Sequence, residues 1–425
     1  MSSMEVPNQV LNSTPLVSVL VTTFRHAGYI EQCLNSILEQ QVDFAFELLV
    51  GEDESTDGTR EVCQRIAAAH PDRVRLFLRS RKEVIKIFGK PTGRANFMHL
   101  MRSARGKYVA LCEGDDHWID PKKLQRQVDA MEADPSAAGC YTNAYNETKG
   151  ERVEFLVPGV NAPKGQVLEE RAFLYGLAIP TCTFLFRREW STEFQHVILP
   201  FATGDTPLFT LLLGRGHFIF QPEFTGVRVV HPGGIYSMQG AAHHLQVQLV
   251  NIQEQDKLSA YRHHDVIQNR KRFALAKGWR EAMEKENLEL AAVAWKYLAK
   301  DRSILGWSWK QTALAGFRVI FPKGYDRLLQ AWSPSARKRS APVLNARKHS
   351  ITPRQGVIFA AMARRSVRFP DGRNAFGSGT GSRKVTECVE EFYGIPPVGE
   401  EHTDQVFQAR GGPRPGIRRS SILAW

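Results

Sequence analysis

Gly106-Lys107-Tyr108-Val109-Ala110-Leu111-Cys112-Glu113-Gly114-Asp115-Asp116-His117-Trp118 is the stretch from which the fold can be read. Its first half, Tyr108 to Cys112, is a short apolar run, the pattern of a buried strand. Its second half sets three carboxylates, Glu113, Asp115 and Asp116, directly beyond that strand. In open α/β sheets, ligands bind beyond the carboxyl ends of the strands. Hard divalent cations such as Mg2+ or Mn2+ take carboxylate oxygens, and in nucleotide sites they combine one or two of these with substrate phosphates. The plainer reading of the same residues is a turn that caps a helix beginning near Pro121, and the stretch alone does not choose between the two.

The same pattern repeats upstream. Leu16 to Val21 reads as a buried strand, and Tyr29 to Gln40 as a helix with Ile30, Cys33, Leu34, Ile37 and Leu38 at helical spacing. Glu47 to Val50 is a second strand, broken by Glu52-Asp53-Glu54-Ser55-Thr56-Asp57-Gly58-Thr59. Ser55, Thr56 and Asp57 each suit the N-cap of a helix carrying Val62 and Ile66. Val74 to Leu78 is a third strand, and a loop with Gly89, Pro91 and Gly93 leads into a helix over about 95–104. The alternation predicts right-handed parallel βαβ crossovers in an open sheet. Thr22 to Arg25, Glu52 to Asp57 and Glu113 to Asp116 would then share one edge. Carboxylates at Glu52-Asp53 suit a base N–H or ribose hydroxyls, although Asp-Ser-Thr-Asp-Gly runs more often cap and solvate turns.

Downstream the periodicity is mixed. Thr181 to Phe186 and Gly226 to Val230 read as strands, and Pro207 to Leu213 as the start of a helix. Residues 241–330 are rich in helix formers, whereas the chain after Ser333 turns Arg-, Ser-, Gly- and Pro-rich, the composition of a flexible tail. The expected organisation is a flexible N-terminus over 1–14, an α/β domain over 15–240, a helical extension over 241–332 and a basic tail over 333–425. Of the net charge of +12, residues 331–425 supply +9, with sixteen Lys and Arg against seven Asp and Glu. The basic character is therefore a property of the tail.

That tail has few aromatic residues for base stacking and no nucleic-acid motif, so no nucleic-acid partner is expected. Gly377 to Ser382 lacks the strand and helix that a phosphate loop needs, and reads as a linker. The adjacent pairs His243-His244 and His263-His264 cannot face one way on a helix, which argues against a metal site there. Six cysteines are scattered without C-x-x-C pairs, no basic-then-apolar leader opens the sequence, and no run reaches the ~18–20 apolar residues of a membrane span. The expectation is a cytoplasmic protein in a reducing compartment. Ile304 to Phe321 mixes Trp307, Trp309, Phe317 and Ile320 with Lys310 and Arg318. With Arg337-Lys338-Arg339 it has the make-up of a segment lying on the inner membrane surface, and equally of a helix packed on the α/β domain.

From about Leu16 to Ser237, a little over half the chain, the sequence resembles the family 2 glycosyltransferases of the GT-A fold, most of all bacterial members that build cell-surface polysaccharides. The lines that carry the resemblance are Val17 to Phe24, Glu52 to Thr59, Gly106 to Trp118, Gly204-Asp205-Thr206-Pro207-Leu208 and His231-Pro232-Gly233-Gly234-Ile235-Tyr236-Ser237, in the family's order. The resemblance implies a mostly parallel open sheet with Thr22 and Phe24 lining a base pocket and Asp53 reading the base edge. It brings Glu52 and Arg94 to the nucleotide, Arg94 at the entry to its helix. Glu113-Gly114-Asp115 would occupy the D-x-D position with Asp115 as principal metal ligand, Asp116 would lie beside the donor sugar, Asp205 would stand as catalytic base, and His231 near metal and diphosphate.

Asp205 also suits a helix start, since Pro207 and an apolar run follow it, and His231 suits an ordinary hydrogen bond in a Gly-rich loop. The chain departs from the family pattern at Arg25, where Asn is usual, and at Glu52 and Glu113, where Asp is usual. Glu keeps the charge and adds one methylene. The implied activity is inverting, metal-dependent transfer of a sugar from a nucleotide-diphospho-sugar donor to a hydroxyl of a glycan or lipid-linked glycan acceptor, with Mn2+ or Mg2+ as cofactor. A metal-dependent sugar nucleotidyltransferase is the alternative. Such enzymes carry a Gly-rich basic loop after the first strand, however, and Thr22 to Gly28 holds one glycine.

Overall fold

The computed structural model describes residues 3–6, 14–158, 161–234, 239–300 and 309–320. In chain order the elements are β1 (Ser3–Glu5), β2 (Val17–Thr23), α1 (Ile30–Leu38), β3 (Phe46–Glu52), α2 (Thr59–Ala69), β4 (Val74–Arg79), β5 (Lys86–Ile87), β6 (Lys90–Pro91), α3 (Arg94–Ser103), β7 (Tyr108–Leu111), β8 (His117–Trp118), α4 (Lys123–Ala133), β9 (Ala137–Thr148), β10 (Glu151–Glu154), β11 (Val167–Leu168), α5 (Glu170–Tyr175), β12 (Leu185–Arg187), α6 (Phe194–Val197), α7 (Asp205–Leu213), β13 (His217–Val229), α8 (Ala241–Leu258), α9 (His264–Glu284), α10 (Leu288–Leu298) and α11 (Trp309–Ile320).

Strands β4, β3, β2 and β7 lie side by side and parallel, with Val17 opposite Phe46 on one flank and Tyr108 on the other. The order along the sheet is β1-β4-β3-β2-β7-β12-β9-β13-β11, with β10 paired to β9 and β8 to β13 off this path, a mixed, mostly parallel sheet in an α/β architecture. Side chains alternate between its faces. Val17, Val19, Val21, Leu48 and Val50 point to the face covered by α1, α2 and α4, where Ile30, Leu34, Ile66, Leu124 and Met131 meet them. Leu20, Leu49, Phe77, Val109 and Leu111 point to the other face, under α3, α7 and the later helices. Each fully buried side chain of this kind contributes about 1.5–3 kcal/mol. Gly51 is needed where it is, because a Cβ there would meet Asn96 Oδ1 at 2.0 Å.

Two sequence expectations are corrected. Thr181 to Phe186 does not run as a strand: residues 181–183 form a 3-10 turn and β12 begins at Leu185. Thr183 Oγ1 donates to the Pro180 and Thr142 carbonyls, a side-chain bond that competes with the ladder. The residue before α2 is Gly58, at φ +102°, rather than Ser55, Thr56 or Asp57. The strand expected over Gly226 to Val230 is the end of a longer one, β13, which stops at Val229, pairs in parallel with β9 and shifts register between Gln221 and Gly226, around Pro222.

The later chain is helical. Gly278 of α9 lets α8 approach closely, since a Cβ there would meet Leu245 Cδ2 at 2.7 Å. Gly316 of α11 packs against the Trp295 indole of α10 in the same way. His263 and His264 face different acids, Glu170 and Asp256. Cys33, Cys63, Cys112, Cys140 and Cys182 are buried and free. Among the described residues no helix is long and apolar enough to cross a membrane. The tail expected over 333–425, and residues 304–308 and 321 of the aromatic-basic segment, lie outside the described residues.

Candidate active site

Three strand ends are stitched together by backbone bonds. Gly114 N–H donates to Thr22 O at 3.0 Å, and Asp53 N–H donates to Thr23 O at 3.1 Å. Gly114 makes the first contact achievable: a Cβ there would meet Thr23 Cβ and Oγ1 at 2.7 Å and His26 Nδ1 at 3.0 Å. The turn after β3 then braces the loop after β2. Arg25 N–H donates to Ser55 Oγ (2.9 Å), His26 N–H to Thr59 Oγ1 (2.8 Å) and Ala27 N–H to Asp57 Oδ2 (3.2 Å).

This bracing brings His26 to Asp115. Asp115 Oδ2 lies 3.0 Å from His231 Nε2 and 3.8 Å from His26 Nε2. Ligand atoms of His26, Asp115 and His231 all fall within 4.8 Å of one another, a group able to hold a metal ion. Two imidazoles and a carboxylate fit a transition-metal dication, and Mg2+ less well, since it prefers oxygen alone. His26 Nδ1 lies 3.3 Å from Thr23 Oγ1, a partner that can fix the ring. Gly233 N–H donates to His231 Nδ1 at 3.2 Å, which leaves the ring proton on Nε2, toward Asp115. For Nε2 to act as a ligand, that proton must move to Nδ1 and Gly233 must let go.

The acidic residues perturb one another. Burial, and then the Asp115 charge, push half-buried Glu113 up to about 7, with Asp205 adding to the rise. Glu113 Oε2 is buried without a hydrogen-bond partner. Burial followed by Asp115 and Glu113 raises Asp116 well above the carboxylate range, although its Oδ1 accepts Val229 N–H at 2.9 Å. Burial alone would raise Asp115, but the His231 hydrogen bond and the nearby His26 outweigh it and hold it low. Burial keeps His26 below its ordinary value against the pull of Asp115.

Asp205 opens α7. Its Oδ1 accepts Thr206 N–H at 2.6 Å, and its Oδ2 takes a long bond from Thr181 Oγ1 at 3.4 Å. The residue before α7 is Gly204, without a side-chain cap, so Asp205 is the first helical residue: one of its oxygens satisfies Thr206 N–H and the other faces Thr181. Arg94 is 5% exposed, and its guanidinium donates to the carbonyls of Ile198, Leu199, Phe201 and Thr203, in the segment ahead of Asp205.

On the other flank, the half-buried Phe24 ring is covered by the Arg81 guanidinium at 3.7 Å. Arg81 Nη1 also donates to Asp53 Oδ2 at 2.8 Å. Burial raises Asp53, opposed by Arg81 and Arg79. Glu52 is fully buried, accepts Ser55 N–H at 2.6 Å and pairs with Arg60, so it braces the turn.

The structure therefore gathers Glu113, Asp115, Asp116, Asp205 and His231 into one charge cluster, with Thr22 stitched to it and Phe24 and Asp53 at the adjoining strand ends. Glu52 and Arg94 are turned to protein partners. His26 and Arg81 were missed from sequence. Nothing in their spacing ties them to Asp115 or Asp53, and the only available signal was the presence of a histidine and an arginine just beyond two strand ends.

The family model described as Glycosyl transferase family 2 matches residues 18–193. An uncharacterized protein of Mycobacterium tuberculosis is 33% identical over 125 residues, which is 29% of this chain and 34% of that protein. The putative glycosyltransferase EpsE of Bacillus subtilis is 30% identical over 122 residues, 29% of this chain and 40% of that protein. The chain thus spans about a third to two-fifths of the length of these curated relatives. Among solved structures, S. aureus TarS 1–349 in complex with UDP-GlcNAc aligns over 74% of this chain and 91% of its own, at 16% identity and a TM-score of 0.49. The stretch 18–193 is a family 2 glycosyltransferase domain.

Proposed function

We propose that this protein transfers a sugar, with inversion and dependence on a divalent metal, from a nucleotide-diphospho-sugar to a hydroxyl of a glycan or lipid-linked glycan acceptor in cell-surface polysaccharide synthesis. Residues 15–240 would be the catalytic domain and 241–332 its helical extension. The reading rests above all on one cluster: Asp115 hydrogen-bonded to His231, with the charge of Asp205 felt at Glu113.

Asp115, His231 and His26 would hold Mn2+ or a similar dication, which, when bound, offsets the negative charge that builds on the departing diphosphate. The chain's own residues do the rest. Asp53 accepts from the base edge and Phe24 offers its ring face once Arg81 swings aside. Asp116, held by Val229 N–H, lies beside the donor sugar. Asp205 Oδ2 takes the proton of the acceptor hydroxyl while that oxygen bonds to the anomeric carbon and the carbon–diphosphate oxygen bond breaks on the opposite face. An acceptor carried on a lipid would be met at the inner membrane face, where α11 and the basic residues beyond it could touch the surface.

Thermal shift with UDP-, dTDP- and GDP-sugars, each with and without Mn2+, tests the donor site. Asp115→Asn should abolish metal-dependent donor stabilisation, whereas Asp205→Asn should keep it and lose transfer. Release of pyrophosphate from a nucleoside triphosphate and a sugar phosphate would instead identify a nucleotidyltransferase and overturn the proposal.

A further inference from the structure

We infer that Arg94 of α3 and Asn251 of α8 are positioning residues that clamp residues 198–206 from two sides and so set the carboxylate of Asp205. The inference rests on the reading of Asp205 as the general base.

Arg94 works from one side. Its Nη1 donates to Ile198 O (3.1 Å) and Leu199 O (3.3 Å), and its Nη2 to Phe201 O (2.8 Å) and Thr203 O (3.0 Å). Buried carbonyls need donors, and a planar guanidinium can serve several at once without changing protonation state. A turn toward a nucleotide would strand these acceptors together. Among the described residues, the charge of Asp205 acts on Arg94 and favours its cation, against the effect of burial.

Asn251 works from the other side. It is 6% exposed on the first helix of the extension. Its Oδ1 accepts Ala202 N–H (2.8 Å), and its Nδ2 donates to Thr203 Oγ1 (3.0 Å) and, at longer range, to Thr206 Oγ1 (3.5 Å). Thr203 Oγ1 donates on to Thr206 Oγ1 (2.8 Å), and Thr206 N–H donates to Asp205 Oδ1 (2.6 Å). With the Thr206 hydroxyl donating on to Asp205 Oδ1 (3.3 Å), a continuous series of hydrogen bonds runs from α8 to the base, and it fixes one oxygen of Asp205 while the other takes only the long bond from Thr181. Small misplacement of a reacting group costs about a hundredfold in rate, so an anchor of this kind has kinetic consequences without touching the donor.

The test compares Arg94→Met, Arg94→Lys and Asn251→Leu with wild type. It reads kcat, KM, the affinity for UDP, GDP or dTDP with Mn2+ (whichever the wild type binds best), and amide hydrogen exchange over residues 199–206. Asn251→Leu should lower kcat about tenfold or more and Arg94→Met about a hundredfold. Arg94→Lys should fall between wild type and Arg94→Met, nucleotide affinity should stay within about twofold throughout, and exchange over 199–206 should quicken. Should Arg94→Met fail to fold, Arg94→Lys and Asn251→Leu carry the same comparison. Weakened nucleotide binding in the Arg94 variants, with wild-type kcat in Asn251→Leu, would make Arg94 a nucleotide contact and end the inference. If Asp205→Asn retains transfer, the base assignment falls instead. The clamp then stands on quickened exchange and is refuted by unchanged exchange.

Discussion

Replacing Lys123 by Met should remove a pH-dependent part of this protein's stability. Lys123 is fully buried at the start of α4, its ammonium 4.1 Å from the Trp118 ring and 2.6 Å from Gln127 Oε1. Burial pulls it from 10.5 down to about 8. The neighbouring thiols offer no countercharge at neutral pH. Burial lifts Cys140 to about 12 and holds Cys112 and Cys182 well above their ordinary value.

The drop from 10.5 to about 8 is worth about 3 kcal/mol, at ~1.4 kcal/mol per tenfold. In the unfolded chain the lysine keeps its ordinary affinity for a proton. Between pH 8 and 10.5 the unfolded state therefore binds a proton that the folded state does not, and stability climbs with pH. That contribution is complete above the unfolded value and is lost as pH falls through about 8. In Lys123→Met the climb is absent. At pH 7 the relief is largely offset, because Gln127 Oε1 loses its donor at about 1–3 kcal/mol.

The pH profile is thus the diagnostic. Melting followed by tryptophan fluorescence from pH 7 to 10.5 should show the wild-type Tm rising, relative to the variant, by roughly 6–12 °C, at ~2–4 °C per kcal/mol. Parallel profiles would mean that Lys123 reaches water or a countercharge, and the argument would fail.

Two further outcomes follow from the site. Gly114→Ala should displace Thr23 and His26 and weaken Mn2+ binding, read by electron paramagnetic resonance of free Mn2+, although no ligand residue is itself replaced; unchanged binding would show that the loop yields without cost. The two imidazoles predict a preference for Mn2+ over Mg2+, and His26→Ala should cost about tenfold or more in Mn2+ affinity by calorimetry while changing Mg2+ little. Equal losses for both ions would place His26 outside the coordination sphere.

The centre of the sheet was legible because β2, β3, β4 and β7 are short apolar runs punctuated by turn residues, and because burial on both faces leaves few other uses for such runs. The carboxylates beyond them were legible for the same reason, since strand ends in a parallel sheet converge. The pairing of β9 with β13 was not, because parallel partners so far apart in sequence leave no local trace, and Cys140 to Tyr145 alternate too weakly to show a strand. The 3-10 turn at residues 181–183 depends on Thr183 bonding to a carbonyl across the sheet, which no local pattern encodes. Arg94 reads as a ligand-seeking cation in sequence because its actual acceptors are backbone carbonyls, and these carry no residue identity.

The bracing of the His26 loop by Ser55, Asp57 and Thr59 has a practical consequence for anyone grafting the His26–Asp115–His231 trio onto another scaffold. Copying three side chains would transplant the chemistry without its foundation, since the loop that carries His26 is held through its backbone by hydroxyl and carboxylate groups that belong to a different crossover. The portable unit is the pair of adjoining turns, and under the proposed metal site a substitution at Thr59, whose hydroxyl accepts His26 N–H, should register as a change in Mn2+ affinity.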